Sequence, residues 1–241
     1  MTQPAGFRTP PALAAALAPA APRLTFPALG SAPLGDLAGA PRNAEFLAVS
    51  GRTAGLDALP EFPGLSGVWA TGLIDRLVRA LAAAPRLRAL WLYQVGRADL
   101  SPLGALVGLE HLSVAWAPRL VDLGWLARLG GLRTLYVDDA PRLDLATLPA
   151  LPSVRSLHLG GGMDAPLRVA SLAPLGRAPE LGALSLANVR VADGSLAPLA
   201  ALGRLRHLHA PNVFAVEESA RLAAARPDVA GAIMGPIYAV P

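Results

Sequence analysis

Apolar residues recur along this chain in one phrase: a large apolar position, two variable ones, a second apolar, one variable, a third apolar. It reads Leu87-x-x-Leu90-x-Leu92, Leu109-x-x-Leu112-x-Val114, Leu132-x-x-Leu135-x-Val137, Val154-x-x-Leu157-x-Leu159 and Leu181-x-x-Leu184-x-Leu186. Upstream stand Leu65-x-x-Val68-x-Ala70 and a weaker Ala44-x-x-Leu47-x-Val49, and Leu205-x-x-Leu208-x-Ala210 closes the series. The first positions are 21, 22, 22, 23, 22, 27 and 24 residues apart, a spacing that chance does not hold through eight windows. Apolar residues separated by one position share a face of a strand, so each phrase predicts a short strand. The other half of each unit has a spacing of three, as in Leu100-Ser101-Pro102-Leu103-x-x-Leu106, Leu123-x-x-Leu126-x-x-Leu129 and Leu145-x-x-Leu148-x-x-Leu151. That spacing suits 3₁₀ or short helical turns. Ser101 before Pro102 is a natural N-cap followed by a first helical residue. One unit cannot bury its own leucines, whereas stacked units form a continuous core.

With this phrase, and with Asp99-Leu100-Ser101-Pro102-Leu103 in the returning half, the chain resembles the leucine-rich-repeat family over 44–213, in particular the short repeats of bacterial internalins. The resemblance implies an α/β solenoid. A right-handed superhelical arc would carry a parallel sheet on its concave side and 3₁₀ or short helices on its convex side. It also implies a binding scaffold, although one such scaffold serves unrelated partners. One departure stands out. The family's ninth position usually holds Asn, whose side chain bonds neighbouring backbones in a ladder. Here it holds Arg52, Leu73, Val95, Ala117, Ala140, Gly162, Val189 and Val213, with Asn188 and Asn212 one residue early. The turns must therefore satisfy their backbone groups through water or through direct bonds between coils.

The ends break the pattern. Residues 1–43 hold eight prolines and predict an irregular N-terminal cap or arm, with a short helix from Thr9-Pro10 to Leu17. The apolar run Leu13–Ala18 after Arg8 has some features of a secretion signal, but Pro10, Pro11 and Pro19 crowd it, and the expected location is cytoplasmic. Residues 73–81 have helical spacing, with Leu73, Leu77 and Leu81 on one face. Residues 214–241 predict a helical C-terminal cap, its helix carrying Glu217 and Glu218 in the first turn and stopping at Pro227. The longest repeat carries extra residues near Gly160–Pro166, expected to bulge as a loop beside a strand end.

Positions alternating with the buried ones face outward on the inner curve. The middle column reads Ala48, Trp69, Trp91, Ser113, Tyr136, His158, Ser185, His209. The entrance column reads Phe46, Gly67, Ala89, His111, Thr134, Ser156, Ala183, His207, and the exit column includes Tyr93 and Asp138. All four histidines and half of the four tryptophans fall in these columns. Uncovered aromatics that the core does not need are typical binding anchors. The candidate protein-binding residues are therefore Trp69, Trp91, Tyr93, His111, Tyr136, Asp138, His158, His207 and His209.

Composition narrows the chemistry. All 21 basic residues are Arg and the net charge is +4. Cysteine is absent, which removes disulfides and thiolate chemistry. No run of about 18 apolar residues suggests a membrane helix. His207 and His209 have a chelating spacing but lack an obvious third ligand. Ser113, His111 and Asp138 suggest a triad on paper, with no nucleophile elbow or oxyanion hole. Gly160-Gly161-Gly162 lacks the Lys-Ser/Thr of a phosphate loop. Arg88, Arg133, Arg155 and Arg206, interrupted by Glu110 and Gly182, line one sheet edge that would suit a polyanion or nucleic acid, though without interleaved aromatics. The expectation is a non-catalytic module without cofactor that binds a protein or peptide on its concave face. The polyanion edge and the His207/His209 metal site are the alternatives.

Overall fold

The computed structural model describes residues 33–229, apart from 85, 98, 163, 164 and 211–213. The short helix expected from Thr9, the run Leu13–Ala18, Asn212 and Val213, and the chain beyond Val229 lie outside the described residues. One parallel sheet of eight strands follows chain order: β1 (Phe46–Ser50), β2 (Gly67–Thr71), β3 (Ala89–Tyr93), β4 (His111–Ala115), β5 (Thr134–Asp138), β6 (Ser156–Gly160), β8 (Ala183–Ala187) and β10 (His207–His209). Each strand is the middle of one sequence phrase. Register pairs Trp69 with Trp91, Trp91 with Ser113, Ser113 with Tyr136, Tyr136 with His158, His158 with Ser185, and Ser185 with His209, which is the middle column in order.

The returning halves are mostly 3₁₀ turns: Leu56–Glu61, Ser101–Ala105, Gly124–Arg128, Leu145–Thr147 and Ala173–Arg177. Helix α1 (Asp75–Ala82) stands on the returning side as its spacing predicts, burying Leu77, Val78, Ala80 and Leu81. A four-residue α2 (Ala197–Ala200) follows, and α3 (Val216–Ala225) lies beyond the last strand with Ser219 and Leu222 buried. A repeated carboxylate starts the turns. Asp36, Asp99, Asp122, Asp144 and Asp193 each accept the backbone N–H two residues on, from Ala38, Ser101, Gly124, Ala146 and Ser195. This covers a donor that the short turn leaves open.

Between the layers runs one core of leucines, nearly all under 4% exposed, from Leu37 to Leu222. It begins upstream of residue 44: Leu34 N–H bonds Ala48 C=O at 2.9 Å, and Leu37 is buried. Together the repeat and this topology make the chain an α/β leucine-rich-repeat solenoid.

Where an Asn ladder is missing, the backbone bonds directly from coil to coil. Val95, Ala117 and Ala140 donate their N–H groups to Trp116, Asp139 and Gly160 carbonyls in the next coil, at 2.8–3.3 Å. The residue after a strand commonly turns the chain in the left-handed region: Gly72, Gln94, Trp116, Asp139 and Asn188 have φ of 59, 56, 53, 50 and 49°. Asn188 reaches from there to the Gly162 carbonyl at 2.6 Å, one side-chain bond of the ladder kind. The long repeat feeds a second, two-stranded parallel sheet, β7 (Leu167–Val169) beside β9 (Val189–Val191). Gly161 makes this possible. A Cβ there would meet Leu167 N at 2.3 Å and Asn188 O at 2.5 Å, both backbone atoms.

Candidate functional site

The concave face divides into two parts of different chemistry. Over β1–β3 it is aromatic. Trp91 and Ala89, each 8% exposed, form a small cluster outside the main core, with Phe46 and Trp69 packed on it. Phe46 lies over Gly67, where an added Cβ would meet its ring at 2.3 Å. From this base an aromatic row runs toward the exit edge. Trp69 stacks on Tyr93 at 6.4 Å between ring centroids and 22° between planes, and Tyr93 meets Trp116 at 5.7 Å and 53°. Trp116 is 46% exposed. Beside the row the Thr71 hydroxyl donates to the Gln94 side-chain oxygen at 3.1 Å.

From β4 onward the face is a polar network. Tyr136 and His158, on neighbouring strands, stack at 4.1 Å and 10°. The Tyr136 hydroxyl donates to Asp138 Oδ2 at 3.3 Å, and His158 Nδ1 shares a proton with Ser185 Oγ at 3.0 Å. His158 Nε2 stands 3.5 Å from Asp138 Oδ1 with no hydrogen bond, an electrostatic approach rather than a bond. Gly160 makes that approach possible, since a Cβ there would lie 2.0 Å from Asp138 Oδ1 and 3.0 Å from His158 Nε2. Burial pushes the Tyr136 hydroxyl far above its ordinary range, and the Asp138 charge adds to it. Burial lowers His111, with Glu110 opposing; burial also lowers His209, with His158 assisting. His111 Nδ1 lies 3.2 Å from the Thr134 hydroxyl.

The structure thus keeps every candidate on the predicted face, but it does not leave all of them uncovered. Trp91 packs with Ala89, Phe46 and Trp69, and His158 stacks on Tyr136; both are buried, so neither is a free anchor. The triad suggested by Ser113, His111 and Asp138 does not assemble. His111 pairs with Thr134, and Asp138 with Tyr136 and His158. Ser185, His158 and Asp138 do line up in the order of an acyl-transfer triad. Ser185 is 0% exposed, however, so no substrate carbonyl can reach its hydroxyl. His207 is exposed and His209 half-buried; among the described residues no group of three or more possible metal ligands forms around them.

Sequence reasoning missed Trp116, because it lies one position beyond the strand, where its left-handed φ turns it onto Tyr93. The contact between His158 and Asp138 was hidden because they occupy different columns, and only the missing side chain of Gly160 hinted at it.

The arginines of the entrance edge are largely engaged. Arg88 donates to the Gly108 carbonyl at 2.9 Å, and Arg133 stands 3.5 Å from Glu110. Arg206 bonds the Gly203 and Leu205 carbonyls and pairs with Asp228 at 3.0 Å.

No protein-family model matches the chain, and no curated protein matches it in sequence. Solved structures do match in shape. Internalin C2 of Listeria monocytogenes is 18% identical, with 80% of this chain and 74% of that one covered and a TM-score of 0.46. An internalin F of the same organism is 16% identical, with 79% and 69% covered and a TM-score of 0.41. A leucine-rich-repeat protein of Leptospira interrogans is 14% identical, with 72% and 56% covered and a TM-score of 0.38.

Proposed function

We propose that this solenoid is a non-catalytic interaction module that holds a protein or peptide partner on its concave face. The observation that carries the reading is the aromatic row Trp69–Tyr93–Trp116, which crosses three repeats and ends on a tryptophan 46% exposed. Trp116 is placed there at a cost, because a left-handed φ on a bulky residue is unfavourable by roughly 1–2 kcal/mol. Large, rigid aromatics on a scaffold lose little entropy on binding and supply most of the energy at protein interfaces. The Tyr136–His158–Asp138 network alongside is closed on itself and its serine is sealed, so it serves as a rigid floor rather than a reaction centre.

Affinity capture with the wild type and with the Trp69→Ser/Trp116→Gly variant tests the reading. A partner recovered by the wild type and at least tenfold depleted from the variant, with both proteins equally folded by circular dichroism, is the expected result. Equal recovery of every partner by both removes the concave face from the proposal.

A further inference from the structure

The small sheet beside the long repeat carries a pair of like charges on facing strands. In β7 and β9, Arg168 and Arg190 stand directly opposite each other in register. Their neighbours Leu167, Val169 and Val189 are buried while both arginines are exposed, so the two side chains leave the same outer face. Adjacent strands lie about 4.8 Å apart. Like charges at that separation destabilise a strand pair. Among the described residues neither guanidinium has an ion-pair or hydrogen-bond partner, whereas Arg76, Arg97, Arg133 and Arg226 each have a carboxylate.

Two turns of the preceding repeats also carry exposed arginines. Ala117-Pro118-Arg119-Leu120 and Ala140-Pro141-Arg142-Leu143 are equivalent segments, each closing on a buried leucine and leaving its arginine exposed without a partner among the described residues. Asp122, Asp144 and Asp193 each accept a backbone N–H of their own turn, and Asp139 lies against Gly162.

We infer that Arg168 and Arg190 form a carboxylate clamp for an acidic segment of a partner protein, with Arg142 and Arg119 extending the contact. The site lies off the concave face, so it stands or falls separately from the aromatic row. A guanidinium fork matches a carboxylate in two parallel bonds, and two adjacent forks hold a carboxylate between them. An acidic peptide fits better than a nucleic acid strand. β7 and β9 present no aromatic on which bases would stack.

The probe is a fluorescein-labelled octaglutamate peptide titrated with the full chain at low ionic strength, read by anisotropy. The expected result is saturable binding, weakened at least tenfold by Arg190→Glu and unchanged by Arg155→Glu on the entrance edge. The Arg190→Glu variant should also melt at the same or a higher temperature, because it turns a like pair into an opposite one. A structural role for the arginine would lower that temperature. The Trp69→Ser/Trp116→Gly variant should bind the peptide as the wild type does, which separates this site from the concave one. Absence of peptide binding overturns the clamp, as does equal weakening by Arg155→Glu. A single-stranded oligonucleotide that binds more tightly than the peptide, and is lost on Arg190→Glu, replaces the acidic segment with nucleic acid.

Discussion

The inner surface over β1–β3 and the inner surface from β4 to β10 solve the same problem in different ways. Both must cover outward-facing strand positions that the leucine core does not need. The first part does so with rings: Phe46, Trp69 and Trp91 cover one another, and the aromatic row then runs out into solvent at Trp116. The second part does so with hydrogen bonds, pairing Tyr136 with Asp138 and His158 with Ser185 under a ring stack. Apolar closure is tolerant of shape and leaves surplus surface, which a partner can use. Polar closure must satisfy each group, so it ends in a sealed network with little to spare.

The comparison is tested hardest by removing one ring from each part. Trp91→Ala should cost about 3 kcal/mol by chemical denaturation, and Trp91→Leu should recover much of it, because area and volume decide. His158→Leu keeps the volume and should still cost about 2 kcal/mol, because Ser185 loses its partner. Adding Ser185→Ala to His158→Leu should restore part of that loss, whereas an additive double mutant would show that the network carries no coupling.

A milder test presses on the two close-approach glycines. Gly67→Ala meets the Phe46 ring, which can swing aside, and should cost about 1 kcal/mol. Gly160→Ala meets Asp138 and His158 within the network and should cost about twice as much. Equal costs would show that Asp138 is as free to move as Phe46.

The smallest expected effect is on pH dependence. His111 and His209 are both lowered in the folded state, so the unfolded chain takes up their protons first. Their contribution is intact above the unfolded value of about 6.5 and is lost as pH falls below it. The lowered carboxylates Asp193 and Glu218 act only as pH falls below about 4. Thermal midpoints between pH 7 and 5 should therefore decline in the wild type and decline less in His111→Gln/His209→Gln. An unchanged slope would place the sensitivity elsewhere.

Much of the fold was legible because the repeat repeats its own evidence. Seven of the eight phrases agree on which residues are buried, and the sheet register follows from aligning them. The helix at Asp75–Ala82 was readable from its fourfold spacing, and the loss of the Asn ladder was visible column by column. The start of the stack was less clear. Leu34 and Leu37 belong to it, but one incomplete unit offers no second copy for comparison. In the candidate site, the outward column was readable and its coverage was not. Trp91 and Trp116 are both tryptophans near strands; one is 8% exposed and the other 46%. Trp91 sits within a strand among other rings, whereas Trp116 sits at the left-handed turn after one.

The sequence by itself determined the solenoid, the strand positions, the registers and the identity of the side chains on each face. Those follow from period and alternation, which are local properties summed over many copies. Only the tertiary structure decided which outward groups meet: His158 with Asp138 across Gly160, Trp116 with Tyr93 through a left-handed turn, Arg168 opposite Arg190 in a sheet that the insertion creates. These meetings depend on the stacking of coils of unequal length. The positions of Asp138 and Trp116 recur in every coil but their residue types do not, so no periodicity announces what these side chains will meet.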